Sequence, residues 1–283
     1  MAKIVLVANL NCDRILQLDK PLQTGGRFHY ADGGQRLGGG GANTGIGLAW
    51  AGHRVALVSQ VGRDKTGDWL LAEASTRGLD CHLVSRREGN TCEMLLVMTP
   101  DGERTIIRPM RPLFELPAPP HWPHWDVLYI NSSAQGAVSW AKTALDHCLV
   151  VAQLAKDERL RPCHILLASE SDLAGRSTLA PWAYALQIAG KQLGHFIVTR
   201  GAKGADVYTA DGRCQHVEAV TAKVKDATGA GDAYAAGLIH GLSQQQDIIA
   251  AMAEAAHWGA LAVACDSSIP GTSLQQYLAT IAD

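Results

Sequence analysis

The stretch Asp226-Ala227-Thr228-Gly229-Ala230-Gly231-Asp232 sets a carboxylate into a glycine turn. Gly229 and Gly231 let the backbone turn tightly and come close to a ligand. An apolar, alanine-rich helical pattern follows directly, so its first N–H groups point into the turn unpaired. Such a helix start suits a phosphate oxygen or another oxyanion. A carboxylate beside an anion site is unfavourable unless it acts there. The economical role for Asp232 is a base that takes a proton from an attacking hydroxyl. A second glycine run, Gly38-Gly39-Gly40-Gly41-Ala42-Asn43, leads into a helical pattern ending Leu48-Ala49-Trp50-Ala51-Gly52. Its glycines clear space where a ligand must pack on backbone. Asn43 offers donors and acceptors to hydroxyl groups.

These residues need a scaffold, and the rest of the chain reads as one. Short apolar runs at 4–10, 55–59, 127–130, 164–168, 196–199 and 205–208 predict strands. Longer patterns at 42–51, 67–77, 137–155, 178–193, 230–242 and 248–264 predict helices. The alternation implies an α/β fold with a mainly parallel sheet and helices on both faces. Ligands of such sheets bind beyond the carboxyl ends of the strands. Asp13, after the first apolar run, and the turn before Asp232 both fall there, so they can converge. Segments 14–32 and 91–108 break the alternation and look strand-like, with Asp101-Gly102 as a hairpin turn.

The two glycine segments resemble the two signatures of the ribokinase-like (PfkB) carbohydrate kinases. Val61-Gly62-Arg63-Asp64-Lys65-Thr66-Gly67, Gly78-Leu79-Asp80, Asn11-Cys12-Asp13, Pro100-Asp101-Gly102-Glu103 and Thr199-Arg200-Gly201-Ala202-Lys203-Gly204 match further family segments, and together they cover nearly the whole chain. The resemblance implies one ribokinase-like domain over 1–283, with a small β lid near 14–32 and 91–108. It implies an ATP-dependent sugar kinase of the cytoplasm that uses magnesium, with a monovalent cation as a further candidate and a homodimer through the lid. Asp232 would be the base, and the N–H groups of Gly229, Ala230 and Gly231 would hold the migrating phosphoryl group. Asn11, Asp13, Gly39, Gly40 and Asn43 would bind the sugar. Thr199, Gly201, Gly204, Thr228, Ala256 and Gly259 would bind ATP. Glu170, Asp172 and Asp226 are the metal candidates.

The chain departs from the family pattern at four places, one of them the compressed run Cys265-Asp266-Ser267-Ser268-Ile269-Pro270-Gly271, where relatives that bind potassium use a loop. Ala227 replaces a threonine, Gly40 stands where many relatives carry lysine, and Ser169-Glu170-Ser171-Asp172 replaces Asn-x-x-Glu. Without a lysine at 40, Asp13 and Asn43 suit a neutral sugar. Arg104, Arg108 and Arg111 read as solvated lid charges, and as a phosphate or carboxylate clamp in the alternative. That alternative is a nucleoside or phosphosugar kinase. Loss of the Asn-x-x-Glu pattern also leaves open a non-catalytic sugar- or nucleotide-binding relative.

Bulk properties narrow the classes. The 283 residues are 47% hydrophobic and 18% charged, which fits a globular chain. A net charge of -2 gives no reason to expect nucleic acid or an acidic membrane surface. Seven scattered cysteines, none in a Cys-x-x-Cys pair, read as reduced thiols. Neither a Gly-x-x-x-x-Gly-Lys-(Ser/Thr) run nor a fitting Gly-x-Gly-x-x-Gly occurs, which disfavours the other common nucleotide sites. The histidines of His121-Trp122-Pro123-His124 lack acidic or cysteine neighbours and read as a loop.

Overall fold

The computed structural model describes residues 1–267 and 269–282. Ser268 and Asp283 lie outside them. The chain begins with β1 (Lys3–Ala8), β2 (Asn11–Leu18) and β3 (Tyr30–Gly38), then α1 (Gly40–Trp50). Next come β4 (Arg54–Val58), β5 (Gln60–Gly62), α2 (Lys65–Thr76), β6 (Ser85–Arg87), β7 (Glu93–Met98) and β8 (Arg104–Ile107). The middle of the chain forms β9 (Val127–Asn131), α3 (Ala137–Ala144), β10 (Leu149–Gln153), β11 (Ile165–Ser169), the single turn α4 (Glu170–Leu173) and α5 (Pro181–Ala189). It ends with β12 (His195–Thr199), β13 (Ala205–Tyr208), β14 (Cys214–Val217), α6 (Ala230–Ser243), α7 (Ile248–Val263) and α8 (Thr272–Ala282).

Eight strands make the main sheet, in the order β14-β13-β12-β11-β10-β9-β1-β4. Pairing is parallel from β4 to β12 and antiparallel at β13 and β14. Alternation along β1 feeds two apolar layers. Ile4, Leu6 and Ala8 enter one, with Ile46 of α1, Leu238 of α6 and Trp258 of α7. Val5 and Val7 enter the other, with Trp140 of α3 and Ile188 of α5. A strand buried on both faces must be apolar throughout, which is why β1 reads as an unbroken hydrophobic run.

A second sheet, ordered β3-β2-β7-β8, stands apart from the first. It is built from residues 11–38 and 93–107, so the first segment expected as a lid, 14–32, extends at both ends. The first apolar run was expected to continue to residue 10. It ends at Ala8 instead, and Asn11 already begins β2. Asp13 therefore sits on a lid strand and not on the end of β1. The largest correction concerns residues 137–155. The helix stops at Ala144, and Leu149–Gln153 is a strand in the middle of the main sheet. Leu149-Val150-Val151-Ala152 is a short, β-branched, buried run, which periodicity cannot tell from a buried helix segment. The strands β5, β6 and β14 and the helix α8 were not expected either. No helix among the described residues is long and apolar enough to cross a membrane.

Candidate functional site

Asp232 is the third residue of α6. The residue before that helix, Gly229, has φ +79°, a left-handed conformation that glycine adopts without strain. The turn presents the helix start to a cleft at the carboxyl ends of the parallel strands. Among the described residues the N–H groups of Gly229 and Gly231 have no backbone acceptor, whereas that of Ala230 makes a 3.3 Å bond to the carbonyl of Ala227. Two carboxamides hold the carboxylate of Asp232. Asn43 Nδ2 donates to Oδ2 and Asn131 Nδ2 donates to Oδ1, each at 2.8 Å. Thr44 Oγ1 donates to the backbone carbonyl of Asp232 at 3.2 Å. Burial raises the Asp232 pKa above the usual carboxylate range, against the opposing pull of these two carboxamides.

Gly40 makes this pairing sterically feasible. A Cβ there would lie 2.6 Å from Asn131 Nδ2 and 3.2 Å from Asp232 Oδ1. The absence of a side chain at position 40 thus goes with an asparagine at 131.

A cavity of about 430 Å³ opens in front of Asp232. Asn11, Asp13, Gly39, Gly40 and Asn43 all line it, together with Thr228, Gly229 and Gly231. Asp13 is 6% exposed. Burial pushes its pKa up to about 6, although Arg36, Arg104, Arg108 and Arg111 all pull it down. A second cavity, of about 660 Å³, lies on the other side of the glycine turn. Thr199, Gly201, Gly204, Ala256 and Gly259 line it, as do Val217, Val224 and Val263. Gly231 lines both cavities. Thr228, expected on the nucleotide side, lies on the first cavity instead, and Ala227 lies on the second.

The three acidic metal candidates do not meet. Glu170 lies on the rim of the second cavity, 3.5 Å from Arg200. Asp172 is bound to Lys156. Burial works to raise the Asp172 pKa, but bonds from Lys156 and Ser169 prevail and hold it low. Both oxygens of Asp226 accept from Arg104 Nη1, at 2.7 and 2.9 Å, and the N–H of Thr228 donates to Oδ1 at 2.8 Å. Among the described residues no three His, Cys, Asp or Glu side chains cluster as a metal site would. Arg104 is therefore a tether between lid and glycine turn and not a solvated charge. Arg108 and Arg111 also reach the first cavity.

Sequence reasoning missed Asn131, Gln153, Lys156 and Arg161, which line the first cavity. Asn131 had a signal, since it follows an apolar strand at its carboxyl end, where ligands bind. Gln153 was hidden by the helix expected over it. Arg161 sits in irregular chain between β10 and β11 and had no signal.

The sequence profile described as pfkB family carbohydrate kinase matches residues 1–112 and 131–274. A fructokinase of Escherichia coli is 29% identical over 239 residues, spanning 73% of this chain and 76% of that protein. The crystal structure of a ribokinase from Thermotoga maritima superposes with a TM-score of 0.80 at 17% identity, over 99% of this chain and 100% of the other. A ribokinase from Arabidopsis thaliana, solved with ribose and ATP, gives a TM-score of 0.80 at 19% identity and covers 98% of each chain. These likenesses extend over both sheets.

Proposed function

The chain belongs to the pfkB family of carbohydrate kinases, and on that premise we propose how its two cavities carry out the transfer. ATP occupies the second cavity, with its flat ring beside Ala256 and Gly259 and its phosphates directed toward Gly231. Thr199, Gly201 and Gly204 border the nucleotide. The sugar occupies the first cavity, where Asn11, Asp13 and Asn43 hold its hydroxyls over the backbone of Gly39 and Gly40. The attacking hydroxyl gives its proton to Asp232 as its oxygen bonds to the terminal phosphorus, and the bond from that phosphorus to ADP breaks. The raised pKa makes Asp232 a stronger base than a surface aspartate. Asn43 and Asn131 orient it. The N–H groups of Gly229 and Gly231, at the positive end of α6, meet the charge on the migrating phosphoryl oxygens. Loss of one such donor in comparable sites costs about 3 kcal/mol of barrier. Magnesium, when bound with the ATP phosphates, would neutralise part of their charge and keep several waters. Glu170, the acidic side chain that lines the second cavity, would be the candidate to face the water of a bound magnesium.

One observation carries this reading. Gly231 lines both cavities, and the carboxylate beside it is fixed by two carboxamides. The named activities of the fructokinase and ribokinase relatives support a small sugar as acceptor. The neighbour solved with ribose and ATP supports that pair of ligands. All seven cysteines are free thiols, which supports a reducing compartment. An ATP-consumption assay over a panel of sugars and nucleosides tests the proposal. Turnover on a carbohydrate is the expected result. Nucleotide binding with no turnover on any acceptor would favour the non-catalytic reading.

A further inference from the structure

Four cationic side chains line the first cavity, Arg108, Arg111, Lys156 and Arg161, against two carboxylates, Asp13 and Asp232. Lys156 is answered by Asp172, which leaves three arginines against the two carboxylates and a net positive lining. Arg161 is the sharpest case. It is only 3% exposed. Its Nη2 donates to the carbonyl of Ser132 at 2.6 Å and its Nε to the carbonyl of Gln153 at 3.1 Å. Its Nη1 is buried without a partner. The nearby Asp157 is bound by Arg159 through both oxygens. Burial lowers the Arg161 pKa to about 10, so the group stays charged at neutral pH. A buried guanidinium met only by neutral carbonyls keeps unused donors and an unanswered charge. Arg108 and Arg111 come from the lid side and repel one another. Among the described residues neither has an ion-pair partner, whereas Arg104 is bound to Asp226.

Arginines converging on one cavity, with no close ion pair of their own among the described residues and only the longer-range pull of Asp13 on Arg108 and Arg111, match what a planar anion requires. We infer that the carbohydrate acceptor carries an anionic group, a phosphoester or a carboxylate, seated among Arg108, Arg111 and Arg161. Asp13 and Asn43 hold its hydroxyls at the same time. The inference rests on the kinase reading above and narrows its acceptor. The cavity of about 430 Å³ has room for a monosaccharide with one such substituent. A neutral acceptor was expected because nothing in the spacing of the arginines shows that they reach the sugar. The rival use for these cations is to bind ATP, but none of the three lines the second cavity.

Binding and turnover test the two layers separately. Hexose phosphates, hexonates and hexuronates, with the parent hexoses as neutral controls, would be titrated calorimetrically into Asp232→Asn protein without ATP. At least one anionic sugar should bind tenfold or more tightly than its parent, and the phosphate and carboxylate arms show which anion is used. Anionic sugars binding no better than their parents would overturn the inference. In the wild-type enzyme the preferred anionic sugar should also be phosphorylated. Tight anion binding with no turnover would refute the kinase reading and leave the anion site standing. Arg108→Gln and Arg111→Gln lie on exposed chain and should fold even if Arg161→Gln does not. Each should raise KM for the anionic sugar by roughly tenfold or more, the usual size of a lost charge-assisted bond, and leave KM for ATP unchanged. A rise confined to the KM for ATP would assign the arginines to the nucleotide and refute the inference.

Discussion

At the scale of single residues, Asp232 combines basicity with fixed orientation. Asp232→Asn keeps the shape and removes the proton acceptor. We expect turnover to fall by about two to four orders of magnitude with ATP affinity nearly unchanged. Steady-state kinetics and nucleotide titration read the two effects, and near-normal turnover would remove Asp232 from the base role. Because its pKa is raised, wild-type kcat should be lost on the acid side above the ordinary carboxylate range. Asp13 shows what burial costs a carboxylate that lines the first cavity. Its carboxyl has a folded pKa of about 6 against a reference of 3.8. Between these values the folded protein holds a proton that the unfolded chain releases, so stability from this group falls as pH rises from about 4 to about 6. The full penalty stands above that window and amounts to about 3 kcal/mol at most. Asp13→Asn should therefore be more stable than wild type at pH 7 in urea unfolding, with the gain shrinking at low pH, while sugar binding is lost. An equal or smaller stability at neutral pH would show that Asp13 is not strained by burial.

At the scale of elements, the lid strand β8 and the turn before α6 are joined by Arg104 and Asp226. Burial would raise the Asp226 pKa, but bonds from Thr228 and Arg104 prevail and keep it ionised. The pair is mostly shielded, at 25% and 15% exposed, so water weakens it less than a surface pair. Arg104→Ala frees Asp226 and unties the lid from the glycine turn. We expect kcat to fall about tenfold, in line with a lost charge-assisted bond, and proteolysis near 99–104 to quicken. Unchanged kcat together with unchanged proteolysis would make the tether incidental. The start of α1 offers a second test. Gly40→Ala forces Asn131 off Asp232, since the added carbon would lie 2.6 Å from Asn131 Nδ2. Turnover should drop while ATP binding is kept, and Asn131→Ala should mimic it.

At the scale of the whole molecule, we propose that the main sheet and lid form one folding unit across the chain. β2 follows β1 after two residues, and α1 follows β3 after one, so the two sheets are held together by short connections that leave little slack. The two apolar layers each hold buried tryptophan, Trp258 in one and Trp122 and Trp140 in the other. Thermal unfolding followed by tryptophan fluorescence and by far-ultraviolet circular dichroism should give one coincident transition. It should shift upward with ATP, and further with acceptor, as ligands that bind only the folded state require. Two separated transitions would divide the chain.

Much of this was legible in the chain itself. The alternation of apolar runs and helical patterns implied the parallel sheet, because strands buried on both faces must be apolar. The glycine turns marked their own sites, because few other residues let backbone and ligand come so close. Asp13, Asn43 and Asp232 could be named from their neighbours along the chain. Their convergence on one cavity could not, since it depends on how β2, α1 and α6 are placed. Asn131 stood at a strand end where ligands bind, but its partner Asp232, 2.8 Å away, shows only in the fold. β10 was lost because a run of five residues, three of them buried, has no decisive period. Most of all, the tertiary structure decided the charge of the first cavity. Arg108, Arg111 and Arg161 come from a lid and an irregular loop, and long flexible side chains show no target until the fold sets a cavity among them.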